Sequence, residues 1–468
     1  MSEKVDVSQF DTAQIVADDK RHFHHPFQLI DLMREEGEGA LPFFKADGCY
    51  LWDTNGNKYF DAVGGMWCTN VGASREEIAR VMYEETIKAS YINPFVDMTH
   101  PSGVTLAKKL AELTPGDLNH TLFTVSGSTA TDDAYRLAVA YHRCRGNFNK
   151  TQVLSRNKAF HGSTFLTQSF CGKANEKPEY FNFLSDMVHF VSAPNSYREG
   201  AGKTPEEFKT ELLQEFEDKI LEVGPDNIAC HYAEPVYGGG GCFVPPVGYH
   251  KGIIDICHKY DILYISDEVV TAFGRLGHFF ASEDRFGIVP DIITVAKGLT
   301  SGYIPMGACI FSDRIYDALA SEEGRFTIVG STYTAHPVAA AVALKNIEII
   351  ERENLLEHVR EIGPYFQEQL NTLKDLDIVG DVRGSHFMQC VEFVKNKETK
   401  EIYPDEFDIG KRVSLHADAL GLIVRPLINL NIMSPALTMT KEEVDFVVSA
   451  LRKAIELTQD DLREMGEL

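Results

Sequence analysis

From about residue 76 the chain alternates helix-spaced apolar positions with short apolar runs bounded by turn residues. Strands are predicted over Thr121–Val125, Val153–Ser155, Ile228–Ala233, Ile262–Ser266, Asp291–Ala296 and Gly307–Phe311. Between them, Asp132–Cys144, Gly248–Lys259 and the Ala-rich His336–Glu351 carry helical spacing. Strand–helix alternation over some 270 residues predicts an α/β fold, a mainly parallel sheet covered on both faces. Upstream, Tyr50–Asp53 and Tyr59–Asp61 flank Asn55-Gly56, the signature of a β-hairpin. After about residue 352 the texture becomes a helix, then strands at Asp377–Val382, Met388–Phe393 and Gly421–Val424, then a helix at Lys441–Leu457, as in a smaller α+β domain.

Composition narrows the function classes. The 468 residues are 44% hydrophobic and carry 45 basic and 69 acidic side chains, a formal charge of −24. With no basic run, such a chain is repelled by nucleic acid and by anionic lipid. The nine cysteines are scattered without a CxxC pair, which argues against a disulfide framework or zinc cluster and for a reducing compartment. Residues 1–20 lack the apolar core of a signal peptide, and no run approaches a membrane span. A cytoplasmic protein with no bound metal is expected. His22, His24 and His25 read as packing an N-terminal arm rather than as metal ligands, since no regularly spaced acidic or Cys ligand accompanies them.

In open α/β sheets ligands gather at the carboxyl ends of strands. After the strand at 121–125 comes Ser126-Gly127-Ser128-Thr129-Ala130, either an ordinary helix cap or a phosphate cradle. After the strand at 262–266 comes Asp267-Glu268, either a structural ion pair or a carboxylate for a cationic ring nitrogen. After the strand at 291–296 comes Lys297, either snorkelling or a desolvated nucleophile. Gly238–Gly241 reads as a surface turn or as a point of close backbone approach to a ligand. Cradle, carboxylate and strand-end lysine in that order match the needs of a cofactor with a phosphate, a pyridine nitrogen and an aldehyde, pyridoxal 5′-phosphate.

The chain resembles the class III (ω-) aminotransferases of pyridoxal-phosphate fold type I over nearly its full length. The matching residues are Phe60-Asp61 with Gly64-Gly65-Met66-Trp67-Cys68, Ser126-Gly127-Ser128 and Phe160-His161-Gly162-Ser163. They continue through Glu234-Pro235-Val236, Asp267-Glu268-Val269, Phe273-Gly274-Arg275-Leu276-Gly277, Lys297-Gly298 and Thr332 to Pro337. The resemblance implies a large domain at 76–345 around a mainly parallel seven-stranded sheet. A smaller α+β domain would be built from both termini, 1–75 with the arm and 346–468. It also implies that Lys297 forms the internal aldimine and moves the substrate proton, and that Asp267 holds the pyridine nitrogen. Val269 and Phe160 would flank the ring, Gly127 and Ser128 would bind the phosphate, and His161 and Glu234 would stand beside the cofactor. Thr332 would bind the phosphate of the neighbouring subunit, which requires a homodimer, alone or within a tetramer, and the His22–His25 arm would cover the partner. Phe160 stands where the family usually has Tyr, Thr129 and Thr131 replace the usual Glu and Asn, and Ala272 replaces a glycine.

Leu422-Ile423-Val424-Arg425-Pro426 is similar to the segment of amine:pyruvate transaminases that carries a movable arginine. Arg425 is therefore the expected clamp for the acceptor's carboxylate. Trp67 and Phe95 match aromatics of the donor pocket in that subgroup. The implied reaction is ping-pong transfer of an amino group from an ω-amino acid or amine (β-alanine, taurine, diamine or aryl-alkyl amine type) to pyruvate through pyridoxamine phosphate. The alternatives are 2-oxoglutarate as acceptor, an aminomutase, or a catalytically silent relative with a binding role.

Overall fold

A computed structural model describes residues 5–27, 30–34, 39–95, 97–323, 325 and 329–468. At its centre is a seven-stranded sheet in the order His120–Thr124, Gly307–Phe311, Ile292–Val295, Leu263–Asp267, Ile228–Ala233, Gln152–Arg156, Val188–Val191. Neighbouring strands are parallel except Gly307–Phe311, which runs antiparallel to both of its neighbours. The strands are buried on both faces, which is why they read as continuous apolar runs. On one face Leu137 and Ala138 pack against Cys230 and Ile265; on the other Phe216, Ile220 and Ile253 pack against Leu154 and Tyr264.

Two further sheets flank the first. In one, Phe43–Asp47, Tyr50–Asp53 and Lys58–Asp61 form an antiparallel ribbon, and Leu422–Ile423 joins it in parallel, pairing with Phe60 and Asp61. The Asn55-Gly56 hairpin forms as expected, with Gly56 at φ +88°. The Asp53 carboxylate ties the turn by accepting from the backbone N–H groups of Asn55 and Asn57 at 3.0 and 2.8 Å. The other sheet has the order Val379–Ser385, Met388–Phe393, Leu430–Met433, Arg425–Leu427. The strand expected over 421–424 thus ends at Ile423, and the chain crosses to a different sheet at Arg425. That crossing makes Arg425 the first residue of the second sheet's edge strand, and it lines the same cavity as Lys297.

Helix ends differ most from the sequence pattern. The helix expected from Asp132 begins at Gly127, because its start is set by a capping box and not by apolar spacing. Ser126 Oγ accepts from the Thr129 N–H at 3.2 Å, and Thr129 Oγ1 accepts from the Ser126 N–H at 3.1 Å. The last helix continues past Leu457 to Met465, since buried Thr458, Gln459 and Leu462 extend its inner stripe with polar members. Among the described residues, no helix is long and apolar enough to cross a membrane.

Candidate active site

A cavity of about 400 Å³ lies where Asp267 ends one central strand, Glu234 follows the next and Lys297 stands two residues past a third. Lys297 has φ +43°, an uncommon conformation for a side-chain-bearing residue, and it turns the chain sharply at the strand's end. Burial pulls its amine below the usual lysine pKa, while the Asp267 and Glu234 carboxylates pull the other way. Gly298 follows because a Cβ there would stand 2.3 Å from Asn70 Nδ2. Asn70 in turn donates to the Phe273 carbonyl at 2.8 Å and accepts from buried Arg275 at 2.7 Å.

The two adjacent carboxylates separate in role. Asp267 Oδ2 meets His161 Nδ1 at 2.7 Å, and its Oδ1 accepts from the Val269 N–H at 3.2 Å. Glu268 is wholly occupied inside the protein, accepting from the N–H groups of Ala281 and Ser282 at 2.7 and 3.0 Å and from the Thr271 hydroxyl at 3.0 Å. Its structural reading holds, without the ion pair. Asp267 alone faces the cavity. Glu234 is buried, and burial raises its carboxyl pKa. Its oxygens accept from the Phe160 N–H at 3.1 Å and the Gly238 N–H at 2.7 Å, so it fixes two walls of the cavity.

Opposite these groups, the helix Gly127–Cys144 points its N-terminus into the cavity. The first N–H groups of a helix lack internal partners and attract anions. Gly127 leaves room for Val269, since a Cβ on it would stand 2.9 Å from Val269 Cγ1. Ser128 Oγ accepts from the Ser163 N–H at 3.0 Å. Gly162 holds φ +136°, and a Cβ there would meet Ser128 Cα at 2.9 Å. An anion cradle, a carboxylate held by His161 and the Val269 N–H, and a desolvated amine thus share one space. That donor set fits a ligand with an anionic group, a basic ring nitrogen and a carbonyl.

The remaining walls are mostly apolar. Asp61 accepts from the N–H groups of Val63, Gly64 and Gly65 at 2.9, 3.0 and 2.6 Å, and this turn delivers Met66 and Trp67. The Trp67 ring lies 5.9 Å from Lys297 Nζ. The glycine run at 238–241 is largely buried rather than a surface turn: a Cβ on Gly238 would meet Trp67 Cζ3 at 2.9 Å, and one on Gly240 would meet the Lys158 carbonyl at 2.5 Å. Close approach is the correct reading, toward the protein's own ring. Phe160 lies edge-on to Phe27, with centroids 6.1 Å apart. The N-terminal arm therefore reaches its own chain's cavity, through Pro26 and Phe27, with His25 pairing Asp19 at 2.8 Å.

Of the residues expected at the site, all but two line this cavity, Arg425 included. The exceptions are Thr332 and Phe95. Thr332 is exposed, its carbonyl accepting from the Tyr91 hydroxyl at 2.6 Å. Phe95 is exposed beside it: a Cβ on Gly330 would lie 3.7 Å from Phe95 Cζ. The two share one outer face of the molecule. Sequence reasoning missed Phe27, Lys173 and Glu176. These come from loops whose only signal is the i,i+3 charge pair Lys173/Glu176, bonded at 2.8 Å.

A putrescine–pyruvate aminotransferase from Pseudomonas aeruginosa is 40% identical over 93% of this chain and 94% of its own length. A mitochondrial gamma-aminobutyrate transaminase from Oryza sativa subsp. indica is 36% identical over 90% of this chain and 82% of its own. The crystal structure of an (S)-enantioselective omega-transaminase from Thermomicrobium roseum superposes with a TM-score of 0.93 at 36% identity, covering 96% of this chain and 99% of that one. The omega-transaminase of Pseudomonas jessenii in complex with PMP gives 0.92 at 31% identity, covering 95% and 98%. The family model of the class-III aminotransferases matches residues 33–455, and the chain belongs to that family.

Proposed function

We propose that this chain transfers the amino group of an ω-amine or ω-amino acid to pyruvate in two half-reactions through one cavity. The family's cofactor, pyridoxal 5′-phosphate, supplies an aldehyde that captures the amine and a ring that draws electrons from the substrate carbon. The cradle, the carboxylate and the buried lysine fit its three ends. Gly127 and Ser128 would hold the phosphate and Asp267 the ring nitrogen, with Val269 and Phe160 on the ring's faces. Lys297, whose amine burial draws below the usual lysine pKa, would hold the cofactor's aldehyde end and move a proton at the substrate carbon. His161 bonds Asp267 Oδ2 and orients the carboxylate, while its buried Nε2 has no partner among the described residues.

The observation that carries the reading is that Arg425 lines the same cavity as Lys297. The cavity thus offers a guanidinium to a keto acid and an apolar surface of Trp67, Phe160, Phe27 and Met66 to an amine. The name of the 40% identical relative, a putrescine–pyruvate aminotransferase, supports the same pair of substrates. The test isolates the half-reactions. The yellow band of the purified holoenzyme should bleach with putrescine or β-alanine alone and return with pyruvate. Return with 2-oxoglutarate but not pyruvate would overturn the acceptor.

A homodimer completes the proposal. Thr332 and Phe95 lie outside their own cavity, on a face where Tyr91 and Tyr333 are also exposed. Such a face fits a second copy whose cavity these two residues enter. Sedimentation should give two copies or a multiple of two, and a fully active monomer would contradict it.

A further inference from the structure

Two charged side chains that line the cavity each carry a buried polar atom with no partner among the described residues. One is Arg425 Nε; the other is Glu176 Oε2. The first is a donor and the second an acceptor. Glu176 Oε1 is held by Lys173 Nζ at 2.8 Å, and both residues belong to the short turn around 173–176. On the Arg425 side, one guanidinium nitrogen rests against the Met66 thioether, a weak acceptor that cannot neutralise it. Burial draws the Arg425 pKa down, and Glu176 is the carboxylate that opposes this. A desolvated guanidinium without a hydrogen-bonded counter-ion is costly.

Resting on the proposed two-substrate reading, we propose that Glu176 is the counter-ion onto which Arg425 withdraws when the cavity holds an amine without a carboxylate. With a keto acid bound, Arg425 turns to the substrate carboxylate, and Glu176 keeps Lys173. With a carboxylate-free amine bound, the guanidinium leaves the apolar space and gives its Nε–H side to Glu176 Oε2. Glu176 is thus a positioning residue that sets the balance between donor and acceptor binding without touching either. Removing its charge strands Arg425 in the cavity, which favours the acid and disfavours the amine.

The test is Glu176→Gln in the holoenzyme, with donor and acceptor half-reactions measured separately. The KM for a carboxylate-free monoamine such as n-butylamine should rise about fivefold, while that for pyruvate falls about twofold, as expected for one partly desolvated charge pair. Calorimetric titration with propionate, an unreactive carboxylate, should show tighter binding in the variant. Glu176→Asp should restore most of the wild-type ratio. In the double variant Glu176→Gln with Arg425→Ala, the fivefold amine effect should vanish, because the residue to be parked is gone. Equal rises in both KM values, or no change in either, would overturn the proposal while leaving the transamination reading intact. A wild-type enzyme that does not bleach with any carboxylate-free amine would instead fail that reading itself.

Discussion

The floor of the cavity and its rim hold charge in opposite ways. On the floor, Asp267 is fixed by His161 and the Val269 N–H, and behind the cavity wall Glu268 is held by three or more donors and Asp61 by three backbone N–H groups. At the rim, Arg425 leans on a thioether, and Arg425 Nε and Glu176 Oε2 have no partner among the described residues. The floor residues stand at the ends of buried strands, where backbone position is over-determined. The rim residues come from a short turn and from the point where the chain passes between two sheets. The difference matches two demands: chemistry at the substrate carbon is the same in both half-reactions, whereas the rest of the substrate changes between them. Preorganised groups serve the first and adjustable ones the second.

That contrast breaks most visibly at Lys297. Lys297→Ala should leave the fold intact and lower turnover by about 10⁴-fold, since both nucleophile and proton carrier are lost. Single-turnover kinetics with an amine would show it. Asp267→Asn should retain shape but cost about 10²–10³-fold in the proton-transfer step with little change in KM, the mark of a group that acts in the transition state. At the rim the effects should fall on binding. Arg425→Ala should raise the pyruvate KM about 10- to 100-fold, the value of a charge-assisted bidentate contact, and spare a carboxylate-free amine. Equal losses for both substrates would erase the distinction between floor and rim. The smallest effect is expected at Phe160→Tyr, which adds one hydroxyl at the cavity wall and should alter donor KM by no more than about threefold.

The same contrast decided what could be seen in the sequence. Asp267 and Lys297 were legible because an ionisable residue directly after an apolar run is conspicuous, and because parallel strands bring their ends together. Gly127 and Ser128 were legible as a cap, although the helix began five residues before its apolar periodicity. The separate fate of Glu268 was not, since its donors Ala281 and Ser282 lie far along the chain on a short helix. The glycine run at 238–241 could not reveal that its neighbour is Trp67, over 170 residues away. Lys173, Glu176 and Phe27 were invisible for the same reason: loops meet at the rim through tertiary folding, and no local spacing records it. Thr332 and Phe95 were named through the family resemblance alone, and a single chain places them away from the cavity.

The central claim is that one cavity serves two different substrates, with Lys297 acting on both and Arg425 holding only the keto acid. Its most direct test is the visible spectrum of the holoenzyme during sequential addition of an amine without a carboxylate and then pyruvate, in wild type and Arg425→Ala. The account predicts bleaching by the amine in both proteins, and rapid return of the band with millimolar pyruvate only in the wild type. Equal recovery in both, or bleaching lost in the variant, would contradict it.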